Sequence, residues 1–269
     1  MQYKIIFSDI DGTLLNRDRV LSPSTIETLK QVKEKLPVVL ISARMPAAMR
    51  HLQRDLEIED QPIISYNGGL ILVNGQPVSS TEIPFATLAG LSEFNKKINC
   101  HLSLYHNDEW YVPQQDRWAA REEHNTQVSP KIKSNAEVLE KWKSESKSAH
   151  KIMAMGTEAE IDAIRDFLKE EYPDQLHLYR SKPTYLEIAN KNISKFTAIQ
   201  YLLDNHFNLT PQDCIAFGDN YNDVEMINGV GMGVAVSNAR REVLEVANMV
   251  TDAGTEDGVA TSLKKLFKL

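Results

Sequence analysis

The chain has 269 residues, enough for one large domain or two modest ones, and its 42% hydrophobic and 25% charged composition is that of an ordinary globular protein. This excludes disordered, collagen-like and disulfide-scaffold classes. Lys and Arg number 30 against 37 Asp and Glu, a net charge of −7, which argues against a nucleic-acid-binding surface. Cys100 and Cys214 are the only cysteines, so no disulfide and a reducing compartment are expected. The apolar run at the amino terminus is too short for a signal peptide, and no stretch reaches the roughly 18 apolar residues of a membrane span. The expectation is a cytoplasmic protein with no membrane partner, either a monomer or a small homo-oligomer.

Tyr3 to Phe7 predicts a first strand. Ser22 before Pro23 offers an N-cap followed by a proline at the first helical position, and Ile26, Leu29 and Val32, with Lys33, continue as a helical stripe. Pro37 to Ile41 predicts a buried strand, Pro46 to Leu56 a helix, and Pro62 to Tyr66 a third strand closed by the turn Asn67-Gly68-Gly69. This β-α-β-α-β order implies a parallel sheet covered by helices.

From about Thr81 to Asn190 the pattern changes to aromatic, polar and hairpin-like segments. His101 to Tyr105 and Trp110 to Val112 read as strands around a tight turn at Asn107-Asp108-Glu109. Lys151 to Met155, an amphipathic helix over Glu158 to Glu171, and strands near His177 to Tyr179 and Tyr185 to Ala189 complete a small α+β unit. Lys143 to Ser148 reads as an exposed connection. From Ser194 the first style resumes: a helix to Asn205, a strand at Cys214 to Phe217, a polar loop and short helix, a strand over Val230 to Val236, and a helix over Ala239 to Ala247. The fold class is therefore α/β, a parallel-sheet core formed by residues 1–81 and 191–269 with an α+β domain, residues 82–190, inserted between its halves.

In such a sheet, ligands bind beyond the carboxyl ends of the strands. Four polar segments fall there: Asp9-Ile10-Asp11-Gly12-Thr13, Ser42-Ala43-Arg44, Lys195 at a helix start, and Gly218-Asp219-Asn220-Tyr221-Asn222-Asp223. Asp9, Asp11, Asp219 and Asp223 in one crevice would repel one another without a hard divalent cation, and Mg²⁺ suits one or two carboxylates, a carbonyl, waters and a phosphate. Lys195, Arg44 and the Ser42 hydroxyl supply donors for phosphate oxygens. Together these groups point to phosphoryl transfer on a small phosphorylated metabolite.

The four segments, in this order, resemble the motifs of the haloacid dehalogenase (HAD) superfamily, and the insertion between Ser42 and Lys195 resembles the type IIB cap of the Cof-like sugar-phosphate phosphatases. Phe196 after the lysine, and Ser42-Ala43-Arg44 where Thr-Gly-Arg is frequent, are departures that remove no required group. The resemblance implies a Rossmann-like core, with Asp9 as the nucleophile that forms an aspartyl-phosphate. It implies that Asp11 protonates the leaving alcohol and then activates water. Mg²⁺ would sit on Asp9, the Asp11 carbonyl and Asp219, with Asp223 orienting its waters. Ser42, Lys195, Asn222 and Arg44 would hold phosphate oxygens, and the cap, closing over the site, would choose the substrate. A haloalkanoate dehalogenase needs neither the second aspartate nor a cation, so phosphate is favoured.

Blander readings apply elsewhere. Gly229-Val230-Gly231-Met232-Gly233 is one residue short of a dinucleotide fingerprint and reads as a strand entry. Asn67 is a secondary site candidate beside two turn glycines. His101, His106, His124 and His150 lack metal-ligand spacing. Trp110, Trp118 and Trp142 read as core residues of the inserted domain, and Glu187 stays outside the site. A phosphomutase, passing the phosphoryl group to a sugar hydroxyl, and a non-catalytic phosphometabolite sensor remain the alternatives to a phosphatase.

Overall fold

A computed structural model describes residues 3–269. The chain divides into two units, one running up to Val78 and resuming over Ser194–Leu269, the other formed by Ser79–Ile193.

The first unit opens with β1 (Ile5–Ser8), α1 (Pro23–Lys33), β2 (Val38–Ile41), α2 (Ala47–Leu56) and β3 (Ile63–Ser65). Every residue of β1, β2 and β3 is buried, as expected of parallel strands covered on both faces. The Ser22 hydroxyl accepts the Thr25 amide at 3.0 Å and Pro23 occupies the first turn of α1. The face that α1 buries is Thr25, Thr28, Leu29 and Val32, while Ile26 and Lys33 are only half-buried. The expected stripe is thus turned toward the threonines. After β3, Tyr66–Gly68 forms a 3-10 turn in which Gly68 takes φ +102°, and a Cβ there would lie 2.6 Å from the Ser194 carbonyl. This close approach seats the turn against the start of the helix that carries Lys195. A hairpin follows, β4 (Leu70–Val73) and β5 (Gln76–Ser80), with β4 antiparallel to β3.

The second unit contains α3 (Phe85–Ile98), β6 (His101–His106), β7 (Glu109–Val112), α4 (Arg117–Thr126), β8 (Lys131–Ile132), α5 (Asn135–Ser144), β9 (Lys151–Met155), α6 (Glu158–Glu171), β10 (Leu176–Lys182) and β11 (Tyr185–Asn190). Its sheet runs β10-β11-β9-β6-β7-β8, antiparallel except for the β7–β8 pair. Leu88 and Leu91 of α3, Val138 and Trp142 of α5, and Ile161 and Ile164 of α6 pack with Leu102, Leu104, Ile152 and Leu186 into one core. Reciprocal capping boxes at Ser134 with Glu137 and at Thr157 with Glu160 start α5 and α6.

The exposed connection expected over Lys143 to Ser148 is exposed from Lys143 to Ser146, and only its end turns inward. Lys143 and Ser144 end α5, Lys147 pairs with Glu109 and Glu145, and Ser148 is buried with its amide bonded to Glu82 at 2.5 Å.

The first unit resumes with α7 (Lys195–Leu202), a π turn at Leu203–Phe207, β12 (Cys214–Gly218), α8 (Val224–Gly229), β13 (Met232–Val236), α9 (Arg241–Val246), β14 (Met249–Thr251) and α10 (Gly258–Phe267). Its sheet is ordered β14-β13-β12-β1-β2-β3-β4-β5, the first six strands parallel. The chain winds one way from β1 to β2 and the other way from β12 to β13, so a topological switch lies at the carboxyl ends of β1 and β12. Both cysteines are buried and unpaired. Among the described residues no helix is long and apolar enough to cross a membrane.

Candidate active site

β1 delivers Asp9 at its carboxyl end, β12 delivers Asp219, the turn after it delivers Asp223, and the first residue of α7 is Lys195. One carboxylate oxygen from each of Asp9, Asp219 and Asp223 lies within 4.8 Å of the others. The Lys195 ammonium, 1% exposed, pairs with Asp9 and, at 2.6 Å, with Asp223. A buried lysine facing two buried carboxylates is held in its charged form. Burial opposes the charge, but Asp223 and Asp9 outweigh it and raise the Lys195 pKa.

Asp223 is wholly buried, and its second oxygen accepts the amides of Asp219 and Asn220, each at 2.9 Å. It therefore shapes the loop that presents Asp219. The Thr13 hydroxyl donates to Asp219 at 2.9 Å. One lysine does not balance three acids. Burial, then the charges of Asp223 and Asp219, raise the pKa of Asp9 against the pull of Lys195. Burial and Asp223 push Asp219 up to about 6. A cluster of oxygen donors with excess negative charge has the chemistry to hold a hard divalent cation.

Asp11 faces elsewhere. The Arg44 guanidinium grips it with two bonds of 2.7 Å, Nε to one oxygen and Nη2 to the other, and Arg19 adds a third of 2.6 Å. Burial would raise the Asp11 pKa, but Arg44 and then Arg19 overcome it and hold the carboxyl below its usual range. Arg44, read from the sequence as a phosphate ligand, is thus engaged with Asp11 and donates through Nη1 to the Ala48 carbonyl at 3.2 Å. The Ser42 hydroxyl accepts the Arg44 amide at 3.2 Å, and the Ser42 carbonyl accepts the Asn67 amide at 2.9 Å. The Asn222 amide group donates to the Asn67 side-chain oxygen at 2.9 Å. Asn67, a secondary candidate, therefore ties the Ser42 segment to the Asn222 loop.

Sequence reasoning missed Arg19. Its only local signal is the turn chemistry of Asn16 and Asp18, which predicts a loop and says nothing of where the guanidinium lands. Sequence spacing also hid a second cluster, since Glu82, His106 and His150 each bring a ligand atom within 4.8 Å of the others. Three of the four ring nitrogens already have partners: His106 bonds the Ser148 carbonyl, and His150 lies between the Asn107 amide and the Ser80 hydroxyl.

A model of the haloacid dehalogenase-like hydrolase family matches residues 6–263. A Haemophilus influenzae protein whose name proposes a phosphatase is 34% identical over 274 residues, covering 99% of both chains. A 5-amino-6-(5-phospho-D-ribitylamino)uracil phosphatase of Bacillus subtilis is 28% identical, covering 98% of both. The crystal structure of a haloacid dehalogenase-like hydrolase from Bacteroides thetaiotaomicron superposes with a TM-score of 0.90 at 26% identity, covering 98% of this chain and all of that one. The chain belongs to the haloacid dehalogenase-like hydrolases. It is an enzyme, a phosphatase of that family.

Proposed function

We propose that the enzyme hydrolyses phosphomonoesters of small metabolites, sugar phosphates foremost, through an aspartyl-phosphate on Asp9 and with Mg²⁺ as cofactor. The observation that carries this reading is the buried Lys195 bridging Asp9 and Asp223 beside Asp219 at the switch point of the sheet. Asp9, Asp219 and the Asp11 carbonyl would hold the cation. When bound, Mg²⁺ supplies positive charge against the nucleophile and the transferring phosphoryl oxygens.

Asp9 forms the new oxygen–phosphorus bond as the ester bond breaks, and Asp11, which Arg44 and Arg19 favour in its ionised form, takes up a solvent proton as substrate enters and gives it to the departing alcohol oxygen. Water then attacks the aspartyl-phosphate, Asp11 takes its proton, and phosphate leaves with Asp9 restored. Lys195 pulls Asp9 toward its ionised form and aims it, and Ser42, with Asn222, donates to phosphate oxygens. Arg44 presents Asp11. Asp223 anchors Lys195 and the Asp219 loop and supports the cation without needing a free oxygen of its own. The ribitylamino-uracil phosphate ester named for the Bacillus relative is one member of the class to be tried.

The test is phosphate release from hexose, pentose, triose and nucleotide monophosphates, with Mg²⁺, with EDTA and in Asp9→Asn. Mg²⁺-dependent release that disappears in the variant is expected. Release that survives in Asp9→Asn overturns the nucleophile, and isomerised product without free phosphate moves the assignment to a mutase.

A further inference from the structure

The three bonds on Asp11 come from two very different arginines. Arg44 is 6% exposed, spends Nε and Nη2 on the carboxylate and anchors Nη1 on the Ala48 carbonyl. Moving it would leave buried donors unpaired. The side chain of Arg19 is 44% exposed and holds Asp11 by one hydrogen bond. Its backbone, by contrast, is fixed. The Asn16 side-chain oxygen accepts the amides of Asp18 and Val20, the Asn16 amide reaches the Val20 carbonyl, and the Arg19 amide reaches the Asn16 carbonyl. Arg19 is thus a long cationic side chain on a hydrogen-bonded backbone, held to Asp11 by one bond and open to solvent at its tip.

Two guanidinium groups face the single Asp11 carboxylate, so the cations outnumber the acids on this side of the site, while the excess negative charge is gathered around Asp9, Asp219 and Asp223. If Asp11 protonates the leaving oxygen, that oxygen comes within hydrogen-bond reach of the carboxylate that Arg19 touches. Atoms one or two bonds further along the alcohol then pass the Arg19 fork. We propose that Arg19 forms an anion subsite for the leaving group, selecting phosphomonoesters whose alcohol carries a second negative group, carboxylate or phosphate, close to the ester oxygen. This deepens the phosphatase reading and rests on it. A neutral polyol offers the fork only hydroxyl acceptors, whereas a carboxylate or phosphate accepts a charge-assisted pair in matching geometry.

A matched pair of substrates tests it: phosphoglycerate against glycerol phosphate, which differ by a carboxylate in place of a hydroxymethyl group. In the unaltered enzyme kcat/KM for phosphoglycerate is expected to exceed that for glycerol phosphate by about fivefold, the size of a partly exposed charge pair. In Arg19→Ala the preference should disappear, chiefly through a raised KM for phosphoglycerate, and Arg19→Lys should restore part of it. A preference unchanged in Arg19→Ala overturns the subsite. An equal fall for both esters also overturns it, because Arg19 would then only position Asp11. No turnover of any phosphomonoester by the unaltered enzyme defeats the phosphatase reading itself, and the inference with it.

Discussion

Gly12 separates Asp11 from Thr13 at φ +88°, and an added Cβ would lie 2.4 Å from an Asp219 carboxylate oxygen. Its carbonyl also accepts the Asn238 side-chain amide at 2.9 Å, so the loop cannot slide away to make room. Gly12→Ala therefore combines a disfavoured backbone with displacement of Asp219. On the proposed role of Asp219 as a cation ligand, misplacing it by about an ångström can cost on the order of 100-fold in rate, and a loss of kcat/KM of that size is expected. The check is steady-state kinetics beside a thermal melt, and a folded variant with near-normal activity would contradict the steric argument. At this scale, what the sequence makes legible is what fixed spacing dictates. Asp9 to Thr13 and Gly218 to Asp223 are short runs leaving strand ends, so their convergence with Lys195 follows once the sheet is recognised. The partners of Asp11 do not follow. Arg44 and Arg19 reach it through long side chains, whose endpoints depend on rotamers and on which carboxylate lacks a counter-charge.

Among the elements, the legible ones are those with uninterrupted apolar runs or strong caps, such as β1, β2, α1 and α6. The β4–β5 hairpin was also within reach, since Asn74-Gly75, both at positive φ, is a strong hairpin signal between the apolar Leu70–Val73 run and β5. α4 was harder, because Ala119 is its only fully buried residue and a helix with so narrow an apolar face carries little periodicity. His106 at the end of β6 and His150 just before β9 show the same limit, brought together only by the pairing of those strands. His150, 1% exposed, has its pKa depressed to about 3 by burial and by the neighbouring His106. A depressed pKa means that the unfolded chain binds this proton more readily. The stability contribution is whole above pH 6.5 and is lost progressively as pH falls from there toward about 3. Urea unfolding from pH 7 to pH 5, about the span where an ordinary histidine begins to titrate, should show falling stability that flattens in His150→Gln. An equal slope in both proteins would assign the acid sensitivity to other groups.

Over the whole molecule, the alternation that stops after β3 and resumes at Ser194 makes an insertion readable without any contact information, because only a returning chain can rejoin the same parallel sheet. The boundaries read at 81 and 191 lie a few residues inside the division of the structure at Val78 and Ser194. The difference arises because β5 and the segment after β11 carry polar residues with no periodicity to mark an edge. Ser79–Ile193 has its own sheet and core, and its entering and leaving segments run side by side. The Asn190 side-chain amide donates to the Glu82 carbonyl at 2.7 Å. A segment with adjacent ends and a core of its own meets the physical requirements for independent folding. Residues 79–193 expressed alone should therefore unfold cooperatively in urea, with the emission of Trp110 and Trp142, both at most 2% exposed, shifting from buried to solvated across one transition. Solvated tryptophan emission in buffer, with no transition, would mean that this unit takes its stability from the rest of the chain, and that its core is a consequence of the fold around it.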